Sequence, residues 1–131
     1  MHRIEQTQYG YKLVFEGFLQ KQDLSTLLDD MKQTIRSRGR KFPVLLDMRH
    51  SRAFPAESQE TLKQAIQFCK ELGMGRNAVV LNSAIATLQA RRLGKETGID
   101  ATSRYIDAST EQEWEKIALD WLERAVDPDA N

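Results

Sequence analysis

The stretch Pro43–Leu62, PVLLDMRHSRAFPAESQETL, puts a carboxylate, an imidazole and hydroxyls into one short segment. Asp47, His50 and Ser51 are the residue types of nucleophilic hydrolysis. In that chemistry a hydroxyl attacks, an imidazole takes its proton and a carboxylate orients the ring. The group follows no nucleophile-elbow pattern such as G-x-S-x-G. His50 is the only interior histidine, and the simpler reading is a solvated loop side chain or one paired with a neighbouring carboxylate. Asp47, closing a strand, is expected to cap N–H groups of the loop. No catalytic residue is therefore assigned, and a small hydrolase working from Asp47–Ser58 is the least favoured alternative.

Further along the segment, Ser58 opens a helical pattern. Free N–H groups and the positive dipole end of a helix would stabilise a phosphate added there. The plainer reading of Ser58 is an exposed cap or first-turn serine. Glu57 stands in the same field and would place a permanent negative charge there without any kinase. Metal chemistry finds little support, because two histidines, His2 and His50, and one cysteine offer no ligand spacing. Gly73 and Gly75 follow a helix and precede a strand, the reverse of a dinucleotide fingerprint. Arg92 and Lys95 share a helix face in ARRLGK, and Arg76 is a candidate to join them as an anion site. A solvated basic face is the alternative. Trp114 and Trp121 lie two helical turns apart on one stripe, which predicts core packing, with a homodimer contact as the other reading.

The totals set limits on these readings. The chain has 131 residues, with 19 Lys plus Arg against 19 Asp plus Glu. Zero formal charge argues against a dedicated nucleic-acid or membrane-surface binder, since both require positive charge on one side. A chain of this length buries roughly two-thirds of its unfolded surface and needs no metal or disulfide to hold it. Cys69, the single cysteine, reads as a small buried hydrophobe. The N-terminal residues carry charge rather than the apolar centre of a signal peptide, and no apolar run approaches the ~18 residues of a membrane span. A cytoplasmic protein without a cofactor is the expectation.

The elements that position these residues follow from hydrophobic period. Two β-type runs flank Tyr9-Gly10 as a hairpin, with Tyr11, Leu13, Phe15 and Leu19 on one side of the pleat. Leu24, Leu27, Leu28, Met31 and Ile35 form a helical stripe, with Asp23 as the predicted N-cap and Gly39 as the stop. PVLLDM is a continuous apolar run, as in a strand covered on both faces. A helix from about Ala56, led by Pro55, turns Leu62, Ala65, Ile66, Cys69 and Leu72 inward. NAVVLN, a helix from Ser83 to Gly98, RYIDA, and a last helix from the Ser109–Glu113 region complete the chain. The order β-β-α-β-α-β-α-β-α predicts an α/β fold with a mixed, mostly parallel sheet. One domain over 1–126 is expected, with 127–131 as a frayed tail.

This pattern resembles the STAS domain, and more narrowly the SpoIIAA-like group of small bacterial proteins. The residues that carry the resemblance are FPVLLDMRHSRAF, RNAVVLNSAIATLQARRLG and RYIDASTEQEWEKIALDWL, and it spans about Tyr9 to Leu122. The resemblance implies a right-handed β-α superhelix with helices mostly on one side of the sheet. It also implies a regulatory, anti-sigma-factor antagonist-like role, in which the loop and helix start after the central strand bind a partner kinase. A serine in an Asp-Ser-Ser-Gly-like motif is the phosphate acceptor in that family. Here PAES, Pro55–Ser58, stands in its place; the glycine is absent, and the acceptor position falls on Glu57 or Ser58. The expectation is a non-enzymatic protein-binding module lacking the usual phospho-serine switch. Its predicted partner contacts are Asp47, Arg49, His50, Arg52, Phe54, Glu57 and Ser58, with Ser58 and Ser51 as candidate phosphoacceptors. A scaffold holding a small apolar or lipid-like ligand between helices and sheet is the second reading.

Overall fold

Alternating apolar residues dictate a sheet with two buried faces. In a computed structural model the described residues are 2–17, 20–35, 40–52 and 56–130, and of these the side chains of 21, 56–58, 61 and 62 are not described. The strands are β1 (His2–Gln6), β2 (Tyr11–Gly17), β3 (Phe42–Ser51), β4 (Met74–Leu81) and β5 (Ser103–Asp107). The helices are α1 (Lys21–Thr34), α2 (Ala56–Leu72), α3 (Ala84–Thr97) and α4 (Trp114–Arg124). The strands stand in the order β1-β2-β3-β4-β5, with β1 antiparallel to β2 and every later pair parallel. The protein is thus α/β with a mixed sheet, as its periodicity predicts.

Strands β3, β4 and β5 divide their side chains between two cores, and β1 and β2 add to the first. Tyr11, Leu13, Phe15, Val44, Met48, Val79 and Leu81 pack under α1, α2 and α3, against Leu24, Leu27, Met31, Cys69 and Ala90. Leu45, Ala78, Val80 and Ile106 face the other way and are covered by Ala118, Trp121 and Leu122 of α4. Successive crossovers of one hand, stepping in one direction across a sheet, put their helices on one face. The last helix has no following strand to reach and closes the opposite face.

Local chemistry fixes the element ends. Ser83 accepts from the Ala86 N–H at 3.0 Å as the cap of α3, and Gly98 closes that helix in the left-handed conformation. The N-terminus of α1 differs from expectation. Its cap is Gln20, and Asp23 is the third helical residue, accepting from the Gln20 N–H at 3.0 Å as the acidic half of a capping box. Likewise α4 begins at Trp114, after the predicted Ser109–Glu113 start. Asp107 draws Ser109 into a tight turn instead, its Oδ1 accepting from the Ser109 N–H at 2.9 Å. Gly75 lies inside β4, and only Gly73 marks the helix stop. Gly10 is required by close approach, since a Cβ there would stand 2.1 Å from the Pro43 carbonyl oxygen. Leu19, Gly39 and Pro55 lie outside the described residues, as does the side chain of Leu62.

The segment expected to fray after residue 126 is tied down at its start. Arg104 on β5 holds Asp127 through Nε–Oδ1 at 2.7 Å and Nη2–Oδ2 at 2.9 Å. These bonds hold the Asp127 carboxyl down to about 2. A planar two-pronged pair of this kind fixes direction as well as distance. No described helix is long and apolar enough to cross a membrane.

Candidate functional site

The sequence-predicted site begins where β3 outruns β4, whose pairing with it ends at Asp47. Val14 pairs with Asp47 and Glu16 with His50, so Met48 and Arg49 together oppose Phe15 in a bulge. A bulge re-aims the side chains beside it. Asp47 is almost fully buried, at 3% exposure, on the face covered by α4. Arg49 meets it with Nε–Oδ1 at 2.9 Å and Nη2–Oδ2 at 3.0 Å, and the Arg49 N–H adds a third contact at 3.2 Å. Asp47 does not close the strand and cap the loop as expected, because β3 runs on to Ser51; the N–H it accepts from is that of Arg49 inside β3, and both of its oxygens are also engaged by one guanidinium.

That guanidinium lies over the Trp114 ring of α4, 4.2 Å from its centroid. Cation–π stacking and the carboxylate hold it in one orientation. Burial pushes the Asp47 carboxyl upward. The Arg49 hydrogen bonds, followed by the charges of Arg49 and Lys12, outweigh burial and leave it below its ordinary value. The bond to Asp47 raises Arg49 in turn.

The hydrolase residues are not joined. Ser51 Oγ donates to the Met48 carbonyl at 2.8 Å, and the Asp47 carboxylate faces Arg49. Among the described residues no hydrogen bond links His50 to either. His50 and Arg52 are exposed at the strand end, where the Arg52 N–H donates to the Gly17 carbonyl at 2.9 Å and sets the loop beside the end of β2. Glu57 and Ser58 occupy the first turn of α2 by backbone position, with their side chains undescribed; Phe54 lies outside the described residues. The next parallel strand, β4, ends on the same edge and leads into α3, whose first turns expose Ile85 (79%) and Leu88 (67%). The end of the sheet thus presents His50 and Arg52 where β3 finishes, and Ile85 and Leu88 on the helix that follows β4.

The proposed anion cluster is divided by the sheet. Arg76 lies on β4 and donates to the Leu122 carbonyl at 2.9 Å, with its guanidinium 5.8 Å from the Trp121 ring on the α4 side. Arg92 and Lys95 are exposed on α3, across the sheet. Strand alternation separates them, because Arg76 shares its face with Ala78 and Val80. Cys69 is buried and its thiol is pushed up to about 12, which suits an inert core residue. Trp121 is buried and donates from Nε1 to the Asn77 carbonyl at 3.1 Å. Trp114 is half-buried, so the stripe serves packing at one end and Arg49 at the other.

Two features were missed in the sequence. One is the Arg49–Trp114 stack, for which the signal was the i,i+2 spacing of Asp47 and Arg49 on a strand. The other is an open cleft of about 420 Å³ beyond β5, walled by Arg91, Asp107, Glu111, Ile117 and the returning C-terminal segment at Asp129. Two of its acids are engaged within the chain: Asp107 with Ser109, and Asp120 with Lys116 at 3.2 Å and with Arg124. Among the described residues no cluster of His, Cys, Asp or Glu could hold a metal ion. No protein-family model and no curated protein matches the chain, so the site is read from its own residues.

Proposed function

We propose that the chain is a non-enzymatic interaction module of STAS type. It binds a protein partner at the edge formed by the end of β3, the following loop and the start of α2. The observation that supports this most directly is the composition of that edge. His50 and Arg52 are exposed there, Arg49 is held rigid behind them, and Ile85 and Leu88 stand uncovered on the neighbouring helix. Exposed apolar side chains rimmed by charge are the usual composition of a protein-binding surface. The consecutive strand order, with α1, α2 and α3 on one face, agrees with a SpoIIAA-like superhelix. Asp47 acts behind the surface by orienting Arg49. Glu57 supplies the negative charge that a phosphoserine would bring to the helix start.

The test is affinity capture with tagged wild type and Arg52→Glu from the native host, with intact mass measured on the recovered bait. A stable partner retained by wild type, lost by Arg52→Glu, and bound to unmodified bait supports a constitutive module. Phosphate on Ser58 or Ser51 together with a kinase-like partner would reinstate a switch. Identical captures by both proteins, or none from either, would remove the edge as an interaction surface.

A further inference from the structure

The core between the sheet and α2/α3 contains a partly open space of about 70 Å³. Its floor includes Met48 of β3, Val79 and Asn77 of β4, and Ser103 of β5; its roof includes Cys69 of α2 and Ala90 of α3. We propose that this space is a binding site for a small neutral molecule, smaller than benzene, with an apolar body and one hydrogen-bond acceptor. The proposal is independent of the partner-binding edge, which lies at the strand ends.

Size comes first. Protein interiors close to crystal density and leave few voids larger than a water molecule. An apolar cavity of about 150 Å³ accommodates benzene, and a water molecule takes a share of roughly 30 Å³. The space here lies between those limits. It is far below the roughly 300 Å³ at which ordinary ligand pockets begin, which excludes a lipid.

Chemistry then narrows the occupant. Among the described residues no charged side chain lines the space, so an ion would be buried without a counter-charge from them. Water needs two to four polar partners, roughly, and the lining is apolar apart from Asn77, Ser103 and Tyr105. Ser103 Oγ already donates to Asn77 Oδ1 at 2.8 Å. The Asn77 amide nitrogen carries two hydrogens and makes one long bond, 3.3 Å, to the Gly75 carbonyl. Asn77 is only 2% exposed, at a strand position where valine would pack without a polar penalty. Its presence on the wall gives the space a donor with capacity to spare. Met48, Met74 and Cys69 contribute polarisable sulfur to the lining, which suits a compact apolar guest.

The lining methionines supply the readout. The protein would be labelled with ¹³C at the methionine methyls and titrated with 1-propanol, and separately equilibrated with xenon. Met48 and Met74 line the space, whereas Met31 is buried elsewhere in the same core and serves as the internal control. The expected result is saturable shifts at Met48 and Met74 with both probes, while Met31 stays still. Ala90→Val should weaken propanol binding at least tenfold by filling the space. Val79→Ile, which adds one methyl group on a strand, is the second variant should Ala90→Val fail to fold. Asn77→Leu should weaken propanol while xenon still enters. Linear shifts of all three methyls, or no shift, would overturn the site. Xenon entry without propanol binding would also overturn it, by reducing the space to a packing void.

Discussion

Replacing Arg49 with methionine should destabilise the protein by about 3 kcal/mol at pH 7. Asp47, 3% exposed beneath Arg49, would be left with both oxygens facing the place the guanidinium occupied. Removing one partner of a buried pair costs ~3–5 kcal/mol, because the remaining charge is left desolvated. The lower end applies here because Arg49 is itself 29% exposed and Lys12 also contributes favourable charge. The stack on Trp114 adds ~0.5–1 kcal/mol, which methionine's own contact with the ring partly replaces. The pH dependence gives the sharper test. In wild type the Asp47 carboxyl lies below its unfolded value of ~3.9, so its contribution is complete above that value and is lost as pH falls through the folded value. In the variant, burial is opposed only by the residue-49 N–H and the Lys12 charge, so the carboxyl rises, and the folded state is penalised at neutral pH and relieved on protonation. The stability gap should therefore be widest near pH 7 and shrink steadily towards pH 3. Urea melts followed by far-UV circular dichroism measure it, which avoids the altered Trp114 fluorescence. Asp47→Asn combined with Arg49→Met should recover most of the loss. A gap under about 1 kcal/mol, or one constant from pH 3 to pH 8, would refute a buried, Arg49-dependent carboxylate.

Three further outcomes can be checked with the same protein. Gly94→Ala should destabilise by about 2 kcal/mol, since the new Cβ would stand 1.9 Å from the Tyr105 hydroxyl, and overpacking outweighs the ~1 kcal/mol gained in helix propensity. Adding Tyr105→Phe should restore part of that loss, and equal melting of Gly94→Ala and wild type would contradict the contact. Cys69 should resist a thiol reagent in native buffer and react fully in denaturant; labelling of the native protein at the rate of a free thiol would be inconsistent with a buried thiol at about 12. Asp127→Asn should release the C-terminal segment, seen as faster carboxypeptidase trimming at pH 7. Because the Asp127 carboxyl is held down to about 2, wild type should stay protected at mildly acid pH and lose protection only as pH falls towards that value.

What the sequence made legible was periodicity. Helical stripes such as Leu24–Leu27–Met31 and apolar strands such as Val79–Val80–Leu81 announce themselves because burial repeats with the backbone. Ser83 and Gly98 were readable for the same local reason: a cap and a left-handed stop each act within one turn. Contacts between distant segments have no such signature. Arg104 meets Asp127 only because β5 and the segment after α4 are brought together by the fold, and nothing near either residue encodes the pairing. Arg76 misled for a related reason, since nearness to ARRLGK along the chain says nothing about which side of a sheet a strand residue faces.

The same physics separates the roles within the site. A carboxylate ahead of a polar segment was legible as an acceptor for a nearby backbone N–H, although the strand runs on past it to Ser51. That its second task is to fix Arg49 depends on α4 bringing Trp114 over the same face, a contact between residues 65 positions apart. Asp47 and Arg49 neutralise one another and lend little net charge to the surface, so recognition there falls to the exposed side chains around them. His50 near the end of β3 and Arg52 just beyond it are exposed, and Ile85 and Leu88 of α3 offer apolar area. A partner recognising such an edge gains from carboxylates placed beside an apolar side chain, because charge complementarity guides the encounter while apolar burial holds the complex. This division predicts that Arg52→Glu acts mainly on association rate and is sensitive to salt, whereas Leu88→Asp acts mainly on dissociation and is not. Binding kinetics with the captured partner at two ionic strengths separate the two, and equal salt sensitivity in both variants would refute the division.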